Sequence, residues 1–215
     1  SRIKTIAAGN KKMGNIATNL GVNSTNLSKY LQTLINLDIL EREVPITEKN
    51  PEKSKKGRYN IKDNYLAFWF NFIYPNKAFL ELGKYDFVME KIRRNFIDNH
   101  VAFVYENICK EKMWDLNIQG KFCFTFDKIG RWWNANEEID IVAFESNGSD
   151  IIFGECKYTN KPMDVDVLFN LEKKASQVDW MSGRRNEKFI LFSVNGFSDR
   201  LKEICEKRDD IILED

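Results

Sequence analysis

Two apolar segments joined by Asn147-Gly148 constrain the fold of this chain more than any other stretch. Residues 138–144 and 151–158 are dominated by β-branched and aromatic side chains. An Asn-Gly pair between two such runs is the strongest short-range signal for a two-residue hairpin turn. The sequence therefore predicts two antiparallel strands, in a register that places Asp140 directly opposite Glu155.

Three charged residues share one face of this predicted hairpin. Side chains alternate along a strand, so Glu155 and Lys157 point the same way as Asp140, while Cys156 points to the other face. Like charges opposite one another cost roughly 0.2–1 kcal/mol, and desolvating an unpaired carboxylate costs several kcal/mol. A half-exposed hairpin with a surface salt bridge and a functional site both fit this pattern. The largely apolar neighbours of each charge favour the site.

The spacing of these charges resembles the PD-(D/E)XK nuclease motif: Asp140, 14 intervening residues, then Glu155-x-Lys157. Carboxylate and carbonyl oxygens suit Mg²⁺ or Mn²⁺. We expect Asp140, Glu155 and the backbone carbonyl of Cys156 to hold the metal ion, and Lys157 to position a water molecule. Glu106, on a predicted helix over residues 100–114, is a further candidate, either for the metal shell or as a partner of Lys157. A plain surface glutamate is the alternative there.

The composition excludes several classes of protein. No apolar run approaches the ~18 residues of a membrane span, and no signal peptide is visible, so we expect a cytoplasmic protein without a membrane partner. The 4 cysteines contain no C-x-x-C pair, which disfavours zinc, and free thiols suit a reducing compartment. The single histidine, His100, excludes a metal site built from histidines.

The first 62 residues show the pattern of a winged helix. Residues 12–20 and 24–37 have apolar side chains at helical spacing, and Gly21 separates the two stretches. Helix, tight glycine turn and helix form the helix-turn-helix pattern. Predicted strands over 39–47 and 58–61 then flank a polar, basic loop over 48–57, which would be the wing.

In a winged helix the second of these helices enters the major groove, and basic side chains of the wing meet phosphates. The expected DNA contacts are Ser24, Thr25, Ser28, Lys29 and Gln32 on the helix, and Lys49, Lys53, Lys55, Lys56 and Arg58 on the wing. Net charge supports two modules with different partners, because residues 1–62 carry +7 and residues 63–215 carry −6. A winged helix that packs on protein instead of DNA is the alternative.

The rest of the chain predicts a connector followed by an α/β domain. Residues 63–74 are almost continuously apolar and aromatic, which indicates a buried helix within a helical connector over 63–97. Alternating phenylalanines over 121–126 predict a half-buried strand. Residues 98–215 then show helices and strands in an α/β order that predicts a mixed sheet flanked by helices. This order is similar to that of the PD-(D/E)XK restriction-endonuclease-like fold.

Seven phrases together resemble the C-terminal half of archaeal AAA-type (STAND-like) ATPases. They are Ile16-Ala-Thr-Asn-Leu-Gly21, Leu27-Ser-Lys-Tyr-Leu31, Gly57-Arg-Tyr59, Phe68-Trp-Phe70 with Tyr74-Pro75, Gly130-Arg-Trp-Trp133, Glu138-Ile-Asp-Ile-Val-Ala143 and Gly154-Glu-Cys-Lys157. The resemblance implies a winged helix followed by a nuclease-like domain of unknown function, with an ATPase module as partner. No Gly-x-x-x-x-Gly-Lys-Ser/Thr phosphate loop occurs here, so we expect no ATP site and no ATP hydrolysis from these residues.

Two functions remain open from the sequence. The first is a metal-dependent DNA phosphodiester hydrolase, in which the winged helix holds the duplex. The second is a non-catalytic DNA- or protein-binding regulatory module, in which the nuclease-like domain is a scaffold. An accessible cluster of Asp140, Glu155 and Lys157 favours the enzyme, whereas a covered cluster favours the scaffold.

Overall fold

The computed structural model describes residues 2–215, which form two compact units. The N-terminal unit comprises residues 2–44 and 49–101. The C-terminal unit comprises Pro45–Glu48 and Ala102–Asp215. Within the described residues, no helix is long and apolar enough to cross a lipid bilayer.

The N-terminal unit is mainly helical. Its helices are α1 Arg2–Ala7, α2 Met13–Leu20, α3 Ser24–Asn36, α4 Asn64–Phe68, α5 Lys77–Glu81 and α6 Tyr85–Phe96, and its strands are β1 Leu40–Glu43 and β2 Arg58–Ile61. Gly21 ends α2 in the left-handed conformation, at a φ of 60°, which glycine adopts without steric cost. The Asn23 side chain then accepts a hydrogen bond from the Thr25 amide at 2.8 Å and caps α3. Ile16, Leu27 and Leu31 pack in the core between these helices.

Strands β1 and β2 form an antiparallel hairpin in which Leu40 lies opposite Ile61. The long loop between them is tied back to β1 by Arg42. Its guanidinium donates to the carbonyl oxygens of Pro51 at 3.0 Å and Ser54 at 2.7 Å. The loop backbone therefore has partners within its own hairpin.

The aromatic segment over 63–74 is not the single buried helix that the sequence predicts. Asp63 caps α4 by accepting from the Leu66 amide at 2.7 Å, but α4 gives way to a π-helical turn, Trp69–Ile73, and a 3₁₀ turn, Tyr74–Asn76. Proline has no N–H for a continuing helical ladder, and Pro75 lies at the start of that 3₁₀ turn. Phe72 is buried, whereas Tyr65 is 67% exposed.

The C-terminal unit contains a five-stranded mixed sheet, which confirms the predicted sheet type. Its helices are α7 Ala102–Ile118, α8 Val165–Ala175 and α9 Asp199–Cys205, and its strands are β3 Lys128–Trp133, β4 Glu138–Phe144, β5 Asp150–Lys157, β6 Asn186–Ser193 and β7 Ile211–Glu214. The strand order is β3-β4-β5-β6-β7. Strands β3, β4 and β5 are antiparallel, and β5, β6 and β7 are parallel.

Apolar clusters cover both faces of this sheet. On one face, Met113 of α7 packs with a cluster that includes Ile152 of β5. On the other, Leu168 and Leu171 of α8 pack with a cluster that includes Phe153. Burial on both faces explains why the central strands are nearly continuously apolar.

The predicted strand over 121–126 is wrong. Phe122 and Phe126 are buried as the alternation indicates, but the Phe126 backbone bonds to a side chain instead of a neighbouring strand. Asn117 of α7 accepts from the Phe126 amide at 3.1 Å and donates to the Phe126 carbonyl at 3.0 Å. A strand ladder there would need the same two backbone groups.

The β4–β5 hairpin has the predicted register but not the predicted turn. Ile141 lies opposite Gly154, and Phe144 lies opposite Ile151, as expected. The turn is one residue earlier than Asn147-Gly148, because the Gly148 amide donates to the Glu145 carbonyl at 3.2 Å. Asp127 fixes this turn from outside by accepting from the Ser146 amide at 2.7 Å.

Candidate functional site

A β-bulge in β4 lies at Asp140. Gly130 pairs with Val142, and two residues later Trp132 pairs with Ile139, so one residue of β3 faces two residues of β4. Bulges bend a strand locally and redirect its side chains, and they are frequent next to active sites. The backbone therefore departs from regular pairing where the sequence places its candidate site.

The Asp140 carboxylate lies where β4 and β5 stop pairing. The last pair of their ladder is Ile141 with Gly154. Beyond it, the Cys156 amide donates to Oδ2 of Asp140 at 2.9 Å. A side-chain oxygen thus occupies the position that a strand carbonyl would otherwise take.

Two lysines converge on Glu155, a carboxylate that is only 5% exposed. Lys157 of the same strand donates to Oε1 at 2.8 Å. Lys174 of α8 lies 3.2 Å from both carboxylate oxygens. The side chains differ in accessibility, because 38% of Lys157 but only 11% of Lys174 is exposed.

Arg131 of β3 joins two further carboxylates. Its Nη2 lies 2.6 Å from Oε2 of Glu106 on α7, and its Nη1 lies 2.8 Å from Oε1 of Glu138 on β4. The guanidinium also lies 5.5 Å from the ring centroid of Phe103, within the range of a cation–π contact. Glu106 is therefore ion-paired with Arg131, and the expected partnership between Glu106 and Lys157 is wrong.

The pKa of Asp140 is raised to about 7. Burial is the main cause, and repulsion from Glu155 and Glu106 adds to it, while the Cys156 amide and Lys157 oppose it. Burial also raises the pKa of Glu106 against the attraction of Arg131. Burial and the neighbouring carboxylates therefore favour the protonated form of Asp140.

Two further groups next to Asp140, the Lys157 amine and the Cys156 thiol, also have shifted pKa values. Burial lowers the pKa of Lys157, but attraction to Glu155, the hydrogen bond between them and the nearby Asp140 together raise it above its usual value. Burial raises the pKa of the Cys156 thiol. Lys157 is therefore a stable cation, and Cys156 offers only backbone groups to a ligand.

The oxygen atoms present fit a hard divalent cation. A carboxylate oxygen has about two lone-pair sites. Within residues 2–215, Oδ1 of Asp140 accepts no hydrogen bond, and Oε2 of Glu155 accepts one, from Lys174. The same residues contain no cluster of three or more His, Cys, Asp or Glu side chains that could hold a metal ion by themselves. A cation here would therefore need backbone oxygen, water or substrate as further ligands.

The structure brings the predicted site residues Asp140, Glu155, Lys157 and Glu106 together with the Cys156 backbone. Arg131 and Lys174 complete the cluster. Arg131 could have been identified from the sequence, because it is a charged residue among the apolar and aromatic residues of the strand around Gly130-Arg-Trp-Trp133. Lys174 reaches the cluster from α8, where its amine contacts both carboxylate oxygens of Glu155.

The predicted DNA-contacting residues lie in the N-terminal unit. Of these, the exposed positions on α3 are Ser24, Thr25, Ser28, Lys29 and Gln32. Those in the β1–β2 loop are Lys49, Lys53, Lys55 and Lys56, and Arg58 of β2 is half-buried. Leu27 and Leu31 on the apolar side of α3 are buried, so the polar side of this helix is available to a ligand.

The C-terminal unit is an α/β domain, in which helices flank a mixed sheet. A cluster of carboxylates and basic side chains lies where β4 and β5 stop pairing. Residues 69–177, just over half of the chain, match DUF234, a family described as archaea bacterial proteins of unknown function. The chain therefore belongs to this family.

An uncharacterized protein of Methanocaldococcus jannaschii is 40% identical over 178 residues, which cover 82% of this chain and 39% of that protein. The chain thus corresponds to about two-fifths of the length of this curated relative. No solved structure matches.

Proposed function

We propose that the C-terminal unit is a metal-dependent phosphodiester hydrolase of the PD-(D/E)XK type, acting on DNA. The observation that carries this proposal is the position of Asp140. Glu106, Glu138 and Glu155 each bond to a basic side chain. Asp140 instead accepts one hydrogen bond from a backbone amide, and within residues 2–215 no lysine or arginine is ion-paired with it.

An unpaired, largely buried carboxylate next to two others is unfavourable unless a proton or a cation neutralises it. Asp140, Glu155 and the Cys156 carbonyl would hold Mg²⁺ or Mn²⁺. When bound, that ion would polarise a phosphate oxygen and lower the pKa of a water molecule. A bound divalent cation would favour the charged form of Asp140 and so lower its raised pKa.

Hydrolysis forms a bond from the water oxygen to phosphorus and breaks the bond from phosphorus to the sugar oxygen. The water loses a proton to solvent, and the leaving sugar oxygen gains one. The Lys157 amine would position the attacking water and offset charge on the phosphate oxygens. Through Arg131, Glu106 would hold β3 against α7 and so fix the wall of the site.

The N-terminal unit supports a nucleic acid as the substrate. Helices α2 and α3 with the β1–β2 hairpin have the element order of a winged helix. The exposed polar residues of α3 would face the major groove, and the lysines of the β1–β2 loop would meet phosphates. The resemblance to archaeal ATPases makes an ATPase module a further proposed partner.

One observation favours a second function, a regulatory DNA- or protein-binding module without catalysis. Two lysines already neutralise Glu155, which weakens its attraction for a metal ion. In that reading the cluster would be a structural network, and the N-terminal unit would carry the function.

Metal binding and cleavage separate the two proposals. We expect isothermal titration calorimetry to detect Mn²⁺ binding by the 215-residue chain, and labelled duplex, nicked and flapped DNA to be cut only when Mg²⁺ or Mn²⁺ is present. Asp140→Asn should abolish both. The exposed Asp166 provides the matched control, since Asp166→Asn removes the same charge from α8 away from the cluster. Wild-type protein that neither binds Mn²⁺ nor cuts DNA leaves the regulatory module as the function.

A further inference from the structure

We infer that Lys174 is a positioning residue: it is the permanent counter-ion of Glu155, and it frees Lys157 to leave that carboxylate and contact the phosphate of the substrate. This inference rests on the proposed hydrolase function. It assigns different roles to two lysines that share one carboxylate.

The geometry separates the two lysines. The Lys174 amine lies equally far from both oxygens of Glu155, at 3.2 Å, and its side chain is only 11% exposed. Lys157 contacts one oxygen, at 2.8 Å, and its side chain is 38% exposed. The buried amine lies across the carboxylate, whereas the accessible amine is held at one edge of it.

The backbone positions of the two lysines also indicate that Lys174 is fixed and that Lys157 can move. Lys174 lies on α8 between Leu171 and Ala175, which are both fully buried against the sheet. Lys157 is the last residue of β5. A side chain on a packed helix keeps its place, while one at a strand end has room to change rotamer.

Charge balance requires this division of roles. If Lys157 were the only partner of Glu155, its departure towards a phosphate would leave a buried, unpaired carboxylate, which is strongly unfavourable. With Lys174 in place, Glu155 stays neutralised when Lys157 moves. The second lysine therefore removes the electrostatic penalty for the movement of the first.

Competitive acylation of lysines tests the counter-ion role of Lys174 and does not require DNA cleavage. The folded, intact chain is labelled, and mass spectrometry of its peptides then measures the acylation of each lysine. In Lys174→Met, Lys157 becomes the sole counter-ion of Glu155, so we expect its acylation relative to the exposed Lys161 to fall roughly threefold or more. Lys174→Gln, which keeps a hydrogen bond but no charge, should behave like Lys174→Met. Lys174→Arg should restore the wild-type value, because a guanidinium also bonds both oxygens of a carboxylate.

Catalytic readouts extend the test. For Lys174→Met we expect a cleavage rate about 10²-fold lower with little change in KM, the scale of one lost electrostatic contact, and tighter Mn²⁺ binding because one positive charge is gone. The exposed Lys173 on the same helix gives the matched control, and Lys173→Met should change neither quantity. Affinity for Mn²⁺ and cleavage rate thus move in opposite directions, which a purely structural role does not produce.

The outcomes distinguish this inference from the proposed function. Unchanged acylation of Lys157 in both Lys174→Met and Lys174→Gln overturns the inference, whether or not the wild-type protein cuts DNA. A fall in acylation that Lys174→Arg reverses supports the counter-ion role. If Lys174→Met shows that fall but the wild-type protein shows no Mn²⁺ binding and no cleavage, the hydrolase proposal fails while the pairing of Lys174 with Glu155 stands.

Discussion

At the scale of single residues, the raised pKa of Asp140 leads to a measurable pH dependence of stability. Its folded-state pKa of about 7 lies above the ordinary value of 3.8, so the folded protein binds this proton more tightly than the unfolded protein does. The stability that the proton contributes is fully present below about pH 4 and is lost as the pH rises through about 7.

We therefore predict that the metal-free protein loses stability as the pH rises from about 4 to about 7. The loss should be at most about 4 kcal/mol, since one pKa unit corresponds to about 1.4 kcal/mol. Urea unfolding in EDTA across this range measures it. Asp140→Asn should flatten the dependence, and Asp166→Asn should keep the wild-type curve. Parallel curves for Asp140→Asn and wild type would contradict the assignment of the raised pKa to Asp140.

A second prediction at this scale concerns Arg131. Its removal leaves Glu106 and Glu138 without their shared cation, and Glu106 is only 17% exposed. Breaking a buried pair from one side costs about 3–5 kcal/mol, so Arg131→Met should lower the free energy of unfolding by about that much.

The exposed pair of Arg94 with Glu90 provides the control. Arg94→Met should cost less than about 0.5 kcal/mol, as measured for helical surface pairs. Equal effects of the two substitutions in urea unfolding would show that the Arg131 network is a surface feature in solution.

At the scale of elements, Asn117 replaces a strand that the sequence predicts. Its side chain satisfies both backbone groups of Phe126, and it is 7% exposed. Asn117→Ala should leave a buried amide and carbonyl unpaired, at a cost of about 1–3 kcal/mol for each unsatisfied group. Thermal unfolding tests this against Asn170→Ala on the exposed side of α8, which should cost well under 1 kcal/mol. Equal melting temperatures would show that water replaces the Asn117 contacts.

The segment over 121–126 shows what sequence patterns can determine. Alternation of Phe122 and Phe126 reports burial, and both are buried, but it carries no information on where backbone hydrogen bonds go. The β4–β5 hairpin illustrates the reverse case. Its register follows from which face of each strand is apolar, and so was predictable, whereas its turn depends on Asp127, 19 residues before Ser146.

The site was predictable to a similar extent. Asp140, Glu155 and Lys157 lie on adjacent segments of one hairpin, so their convergence follows from local spacing. Lys174 and Arg131 reach the cluster from α8 and β3, through packing that no short-range pattern encodes. A lysine at the edge of a helix's apolar stripe has the same local sequence whether it meets water or a buried carboxylate.

At the scale of the whole molecule, the two units differ in charge as well as in fold. Residues 1–44 and 49–101 hold 17 Lys/Arg and 9 Asp/Glu and so carry +8, whereas residues 45–48 and 102–215 hold 16 and 23 and carry −7. A negatively charged domain repels nucleic acid unless cations offset its charge. If the C-terminal unit acts on DNA, the basic N-terminal residues and a bound metal ion must supply most of the attraction.

This charge distribution leads to a prediction about salt. Each phosphate contact contributes about 0.9 to the slope of log affinity against log salt concentration. Replacing Lys53, Lys55 and Lys56 with alanine should therefore reduce that slope by about 2 to 3 and weaken binding to all duplex sequences alike. Fluorescence anisotropy of labelled duplexes across a range of KCl concentrations measures both effects. The matched control removes three other exposed lysines, Lys84, Lys121 and Lys207, and so changes net charge equally. If both triple variants reduce the slope equally, the β1–β2 loop is not a phosphate contact, and the N-terminal unit binds protein instead.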